Sequence, residues 1–153
     1  MAQIIDGKRI AKEIKDKLKE EVSVLKERGT KICLAVIQVG QDAASSVYVN
    51  NKKKACAYIG IDSVSYELKE ATTEAELVEL IEKLNRTEKV HGILVQLPLP
   101  AHIDEDRIIR TISPDKDVDG FHPVSVGRLW LGEKGFVSLS LIHISEPTRL
   151  DVI

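Results

Sequence analysis

The sequence predicts an α/β fold of three αβα layers with a mainly parallel sheet in the middle. Three observations predict it. Amphipathic segments of helical period alternate with short apolar runs of strand length. The runs at 32–39 and 90–96 are apolar at almost every position, as strands buried on both faces are. Glycine or proline stands at most of the junctions between these segments. With 153 residues, 43% of them hydrophobic and 30% charged, the chain suffices for one domain with a sizeable core and is too short for two full ones.

Each element has its own justification. Ile10, Ile14, Leu18, Val22 and Leu25 recur at helical spacing among Lys and Glu, with Gly29 just beyond as a stop. The run 32–39 ends in Gly40 and reads as a buried parallel strand. Alanine and serine content, a lysine run and the terminal Gly60 predict a helix over 42–59, although Val47 and Val49 lower its intrinsic propensity. Ile61, Val64, Tyr66 and Leu68 alternate loosely as a strand over 61–68. Thr73-Glu74-Ala75-Glu76 is a capping box that opens a helix bearing Leu77, Leu80, Ile81 and Leu84. The third strand, 90–96, is stopped by Pro98 and Pro100, after which Asp104 caps a helix whose staple is Ile103 with Ile108. The order α-β-α-β-α-β-α makes a parallel sheet, and ligands of such sheets bind outside the carboxyl ends of the strands. Chemistry is therefore expected after Val39, after Val95 and near Asp117.

Composition removes several function classes. Lys+Arg of 22 against Asp+Glu of 24 gives a net charge of -2 with the signs interspersed, which argues against nucleic acid and anionic membranes as partners. No basic segment precedes an apolar stretch at the start, where Asp6 interrupts the only short apolar run, and nowhere do 18 apolar residues follow one another. A soluble intracellular protein with reduced thiols is expected. The two cysteines make no disulfide framework, and Cys33 is predicted to be a core residue. His91, His102, His122 and His143 lie far apart with no partner at ligand spacing, so no metal site is expected. There is no G-x-G-x-x-G, no G-x-x-x-x-G-K-[ST] and no G-x-S-x-G.

Three segments remain. Tyr48 and Lys52 are four apart, so on a helix an aromatic ring and an amine project from one face. An amine beside a ring can hold a flat substrate and move a proton, provided burial or neighbouring positive charge favours its neutral form. The spacing of Asn51-Lys52-Lys53-Lys54 is equally that of a solvated helix face. Gln96 is a lone amide ending an apolar strand; it either fixes a ligand or the amine, or satisfies the backbone of the proline turn. In 114–123 the carboxylates of Asp115, Asp117 and Asp119 lie in a proline-bounded loop. They either accept adjacent N–H donors of a ring or form a solvated turn with Asx hydrogen bonds.

At these residues the sequence resembles the bifunctional methylenetetrahydrofolate dehydrogenase/methenyltetrahydrofolate cyclohydrolase family. The matching pieces are Val39-Gly40 through Ala44-Ser45 to Tyr48-Val49 and Lys52, then Gly92 to Pro100, then Asp117-Val118-Asp119-Gly120-Phe121, in the family's order and spacing. The resemblance runs over 4–137. It implies the amino-acid-dehydrogenase-like N-terminal domain of an enzyme that oxidises 5,10-methylenetetrahydrofolate with NADP and hydrolyses the methenyl product to 10-formyltetrahydrofolate. It further implies a cytoplasmic homodimer in the one-carbon supply to purine, methionine and histidine biosynthesis, with tetrahydrofolates as substrates. By motif match, Lys52 takes the catalytic lysine's place and Gln96 that of the amide that positions it. Tyr48, Val95, Leu97 and Asp119 take substrate-binding places, Asp119 on the pterin ring.

The family pattern stops after Gly135-Phe136-Val137, where relatives continue into a Pro-Cys-Thr-Pro segment and an NADP-binding Rossmann domain. The cofactor site is expected there and not in this chain. Residues 138–153 resemble out-of-frame or adapter-derived read-through, and are expected to carry no function. The domain organisation is thus a tetrahydrofolate-binding catalytic domain over 1–137 and a foreign tail. Two readings stay open: a piece of the bifunctional enzyme, with dehydrogenase activity doubtful, or a catalytically inert folate-binding or dimerisation module. A phosphoacceptor receiver domain is rejected, because its aspartate would stand where this chain has Gln96.

Overall fold

The computed structural model describes residues 6–41 and 43–133. The expectations placed on Ile4, Ile5, Asp42, Gly135 to Val137, His143 and the tail 138–153 lie outside the described residues. In chain order the elements are α1 (Gly7–Glu27), β1 (Cys33–Val39), α2 (Ala43–Ile59), β2 (Asp62–Leu68), α3 (Glu74–Arg86), β3 (Gly92–Val95), α4 (Glu105–Thr111), a short 3-10 turn (Pro114–Lys116) and α5 (Pro123–Trp130).

The three strands are parallel in the order β2-β1-β3, with Ile37 opposite both Tyr66 and Val95. Side chains alternate between the two sheet faces, so parity decides which layer each residue meets. Ala35, Ile37 and Val39 of β1, with Ile93 and Val95 of β3, bury against Leu77, Ile81 and Leu84 of α3 and Ile108 of α4. Val36 and Leu94 bury on the opposite face against Val49 of α2. That is the predicted three-layer arrangement, with α1 packed on α2. The central strand is buried on both faces from Ala35 to Val39, as its unbroken apolar run requires. The edge strand β2 is largely exposed, which explains its looser alternation.

Because β2 lies on one side of β1 and β3 on the other, the connections diverge at the carboxyl ends of β1 and β3. In open α/β sheets that is where a crevice forms for ligands. The segment after β3 is anchored there by Gln96 N–H donating to Ile37 O at 2.8 Å.

Local signals fix several ends. The Thr73–Glu76 capping box is formed in both directions, and its hydrogen bonds hold the Glu76 carboxyl below the usual range. Asp104 caps α4 by accepting from Arg107 N–H at 3.2 Å, and the staple residues Ile103 and Ile108 are both buried. Other boundaries differ from expectation. α1 starts at Gly7, one residue after Asp6, whose carboxylate accepts from Arg9 N–H. β3 is shorter than 90–96. Cys33, predicted as core, is only half-buried because it is the first residue of β1; Cys56 is the buried thiol. Burial pushes both thiols up from their ordinary range. α5 was not anticipated, although His122 caps it through Nδ1 and Pro123 occupies the first turn, where a missing N–H costs nothing.

Gly92 opens β3 because nothing larger fits. A Cβ there would stand 2.5 Å from Val118 Cγ1 and 3.2 Å from Leu34 Cδ1. Val118 is branched at Cβ and stiff at χ1, so the clash is passed to the 117–120 backbone. Gly92→Ala is expected to lower stability by about 1–3 kcal/mol, the range for overpacking. Urea denaturation checks this: the midpoint should fall with the slope unchanged.

Candidate active site

Lys52 sits on α2, half-buried, and its ammonium donates to Gln96 Oε1 at 3.3 Å across 44 residues of sequence. The strand period explains the meeting. Leu94 faces α2, so Gln96, two residues on, is aimed at the same layer just past the end of β3. The amide is held at its other end as well, where Nε2 donates to Leu97 O at 2.8 Å. An ammonium has only donors, so with the amide nitrogen engaged by the backbone the amide oxygen is what the lysine meets. Both roles left open for Gln96 are filled at once: it satisfies the backbone of the proline turn and fixes the amine.

The lysine run divides. Lys53 pairs with Glu67 of β2 at 3.0 Å and Lys54 is exposed, so the solvated-face reading holds for Lys54 and fails for Lys52. Tyr48, one turn before Lys52 on the same helix face, is 63% exposed. Its ring is therefore available to stack on a flat molecule from the open side.

The three loop carboxylates have three different fates. Asp115 is exposed. Asp117 accepts from Gly120 N–H at 3.0 Å, from His122 N–H at 3.0 Å and from Ser125 O–H at 2.8 Å, while its backbone pairs with Ile93 of β3. Asp119 is partly buried beside Phe121 and Leu97. Burial pushes its carboxyl above the usual range and the Asp117 charge adds to the rise, while the nearby Lys52 charge opposes it. Lys52 thus hydrogen-bonds the Gln96 amide and is near enough for its charge to act on the Asp119 carboxylate. Sequence reasoning missed Asp117 and Ser125 as a clamp; the Asx-turn pattern was a signal for Asp117, and nothing in the sequence marks Ser125.

The remaining two predicted residues are placed otherwise. The Val95 side chain is buried in the core under α3 and α4, on the face opposite Gln96, and Leu97 packs against that same core. Both nevertheless line a small apolar cavity together with Asp119 and Phe121, on the sheet face opposite the Gln96 amide. The Leu97–Pro98 peptide is cis. An open cleft of about 690 Å³ runs along Gln38, Gly40, Gln41, Val49 and Asn50 to Glu67–Glu70, on the β2 side of α2. It contains none of Lys52, Gln96 and Asp119, which are partly buried elsewhere. Three histidines serve the backbone: His91 Nδ1 accepts from Cys33 N–H, His122 Nδ1 from Val124 N–H, and His102 Nε2 bonds Thr72 O. Among the described residues no three His, Cys, Asp or Glu side chains converge to hold a metal ion, and no helix is long and apolar enough to cross a membrane.

Residues 5–119 match the family described as tetrahydrofolate dehydrogenase/cyclohydrolase, catalytic domain. The chain is 58% identical to the bifunctional protein FolD of Agathobacter rectalis, over 99% of this chain and 56% of that protein. It is 64% identical to the FolD of Lachnoclostridium phytofermentans, over 90% of this chain and 49% of that protein. Among solved structures, the bifunctional FolD of Campylobacter jejuni superposes with a TM-score of 0.86 at 47% identity, over 96% of this chain and 53% of that one. The Trypanosoma brucei dehydrogenase-cyclohydrolase, solved with NADP cofactor and inhibitor, gives 0.86 at 37% identity, over 99% and 52%. The chain spans about half the length of the curated relatives it matches.

The raised Asp119 carboxyl makes a stability prediction. Its folded value lies above an unfolded value of about 3.9. Between the two the folded chain binds the extra proton, so this group's contribution is full below the unfolded value and is lost as pH rises through the folded value. Urea midpoints measured from pH 3 upward should decline across that window in the parent relative to Asp119→Asn, which has no charge to bury.

Proposed function

The chain belongs to the tetrahydrofolate dehydrogenase/cyclohydrolase family, and from that premise we propose that it binds tetrahydrofolates and supplies the cyclohydrolase residues of a bifunctional one-carbon enzyme. The observation that carries this reading is the Lys52–Gln96 hydrogen bond, with Asp119 close enough for the lysine charge to act on it.

In the cyclohydrolase step, water adds to the methenyl carbon, a cation shared between two nitrogens. A C–O bond forms as one water proton passes to the amine, the bond from that carbon to N5 breaks with N5 taking that proton, the remaining hydroxyl proton leaves to solvent as the C=O forms, and 10-formyltetrahydrofolate results. A neutral Lys52 amine accepts the water's proton; a fixed positive charge there would repel the cation. Gln96 holds the amine through a neutral oxygen, adding no negative charge that would keep the proton on it. Asp119 accepts the adjacent N–H donors of the pterin ring, which replace contacts its burial has removed. Tyr48 lies along the ring from the exposed side.

Oxidation of 5,10-methylenetetrahydrofolate with NADP belongs to the same proposal for the longer protein. The junctions after β1, β2 and β3 show no glycine-rich turn able to cradle a pyrophosphate, so the described residues do not fit the dinucleotide. Hydride transfer needs both rings in contact, and this chain alone is expected not to reduce NADP. The same reading includes a cytoplasmic homodimer. The uncovered Ile10, Ile14 and Leu18 on α1, 39%, 54% and 40% exposed, support further burial in a larger assembly.

The test is Lys52→Met, assayed by the decay of methenyl absorbance. Turnover should drop by about 10²–10⁴, the usual contribution of a positioned acid–base group, with tetrahydrofolate binding retained. Unchanged turnover removes Lys52 from the reaction. Binding without turnover in the parent chain favours the inert-module reading instead.

A further inference from the structure

We propose that Asp117 is a positioning residue that holds Asp119 at the folate site, resting on the reading of Asp119 as the pterin-binding carboxylate. The sequence sets two aspartates around Val118, and the structure gives them opposite surroundings. Asp119 carries no clamp of its own. Asp117 takes three donors on its two oxygens: Gly120 N–H on Oδ1, His122 N–H and Ser125 O–H on Oδ2. These donors come from the residue that turns the loop, at φ +72°, from the cap of α5 and from the first turn of α5. One carboxylate therefore ties the turn, the helix start and, through its backbone pairing with Ile93, the sheet edge.

Asp119 lies inside the closed ring of these bonds, between the donor chain at 120–125 and the anchor at 117. Val118, the residue between the two aspartates, is seated where Gly92 leaves no Cβ. The loop is thus held from both directions, which fixes the backbone position from which Asp119 projects. The titratable groups acting on Asp119 are Lys52 from α2 and Asp117 from its own loop. Burial is the main cause of the raised Asp119 carboxyl, and the negative charge of Asp117 adds to it, so the clamp also contributes to the pH range over which Asp119 is a carboxylate.

Two variants of the full chain test this. Asp117→Asn removes the charge and one acceptor; Ser125→Ala removes one donor and leaves every charge in place. Without ligand, the Asp119 carboxyl is titrated by carbon-13 NMR. Its midpoint should fall in Asp117→Asn and stay put in Ser125→Ala, a split that a general loss of packing would not produce. Tetrahydrofolate affinity, measured at a pH where Asp119 is ionised in all variants, should fall about ten-fold in Asp117→Asn, as loss of charge-assisted hydrogen bonds predicts. In Ser125→Ala it should fall less. Equal midpoints in parent and Asp117→Asn, or affinity equal to the parent's in both variants, overturns the proposal. If Asp117→Asn does not fold, Ser125→Ala decides by affinity. If the parent itself binds no tetrahydrofolate, the functional reading fails, and the ligand-free titration still judges the clamp.

Discussion

The contact between Lys52 and Gln96 is the constraint on which the rest of the structure depends. A helix and a strand end that lie 44 residues apart must present an amine and an amide to one another, and every layer of the fold contributes to that meeting. The parallel order β2-β1-β3 places β3 beside β1. The alternation of β3 sends Leu94 and then Gln96 to the α2 side, while Ile93 and Val95 lock the opposite side into the larger core. A slip of one residue in the β1–β3 register would exchange those faces, burying the amide under α3 and exposing apolar side chains to the lysine. The two cores, built mainly from Ile, Leu and Val, are what forbid that slip.

Burial is distributed around this contact in a way that separates support from chemistry. Val36, Val49 and Leu94 seal the base of the α2 layer, and the lysine lies at its rim, neither free nor fully enclosed. Lys53 is drawn off by Glu67, so the carboxylate of β2 does not compete for Lys52. The amine is left with a neutral oxygen in direct contact and a carboxylate at longer range. That choice matters because a carboxylate in contact would bind the ammonium as a closed ion pair, whereas an amide orients it at little electrostatic cost.

Much of this was legible in sequence, and the limits have physical causes. The strands and the capped helices announced themselves because period and caps are local properties: Thr73 to Glu76 needs only four residues to specify its hydrogen bonds. Tyr48 and Lys52 on one face followed from helical spacing alone. What could not be read was which of several equivalent residues a distant element would engage. Lys52, Lys53 and Lys54 are alike as letters, and only β3 and β2 distinguish them. Asp115, Asp117 and Asp119 alternate identically, yet one is solvated, one clamps a loop and one lies partly buried within reach of the lysine charge. Val95 is a mixed case: strand parity turns its side chain into the core, where it also lines a small cavity with Asp119.

The burial of Asp119 runs against stability, and that opposition supports a binding role for it. A carboxylate serving only the fold would be expected to gain donors, as Asp117 does with three, and burial without them leaves the ionised form poorly solvated. Asp119 is instead pushed up by its surroundings and relieved chiefly by the Lys52 charge. A ligand that brings its own paired N–H donors would supply what the protein withholds, and its binding would lower the same carboxyl that folding raised. Ligand affinity would then draw on the same electrostatic deficit that burial creates at Asp119.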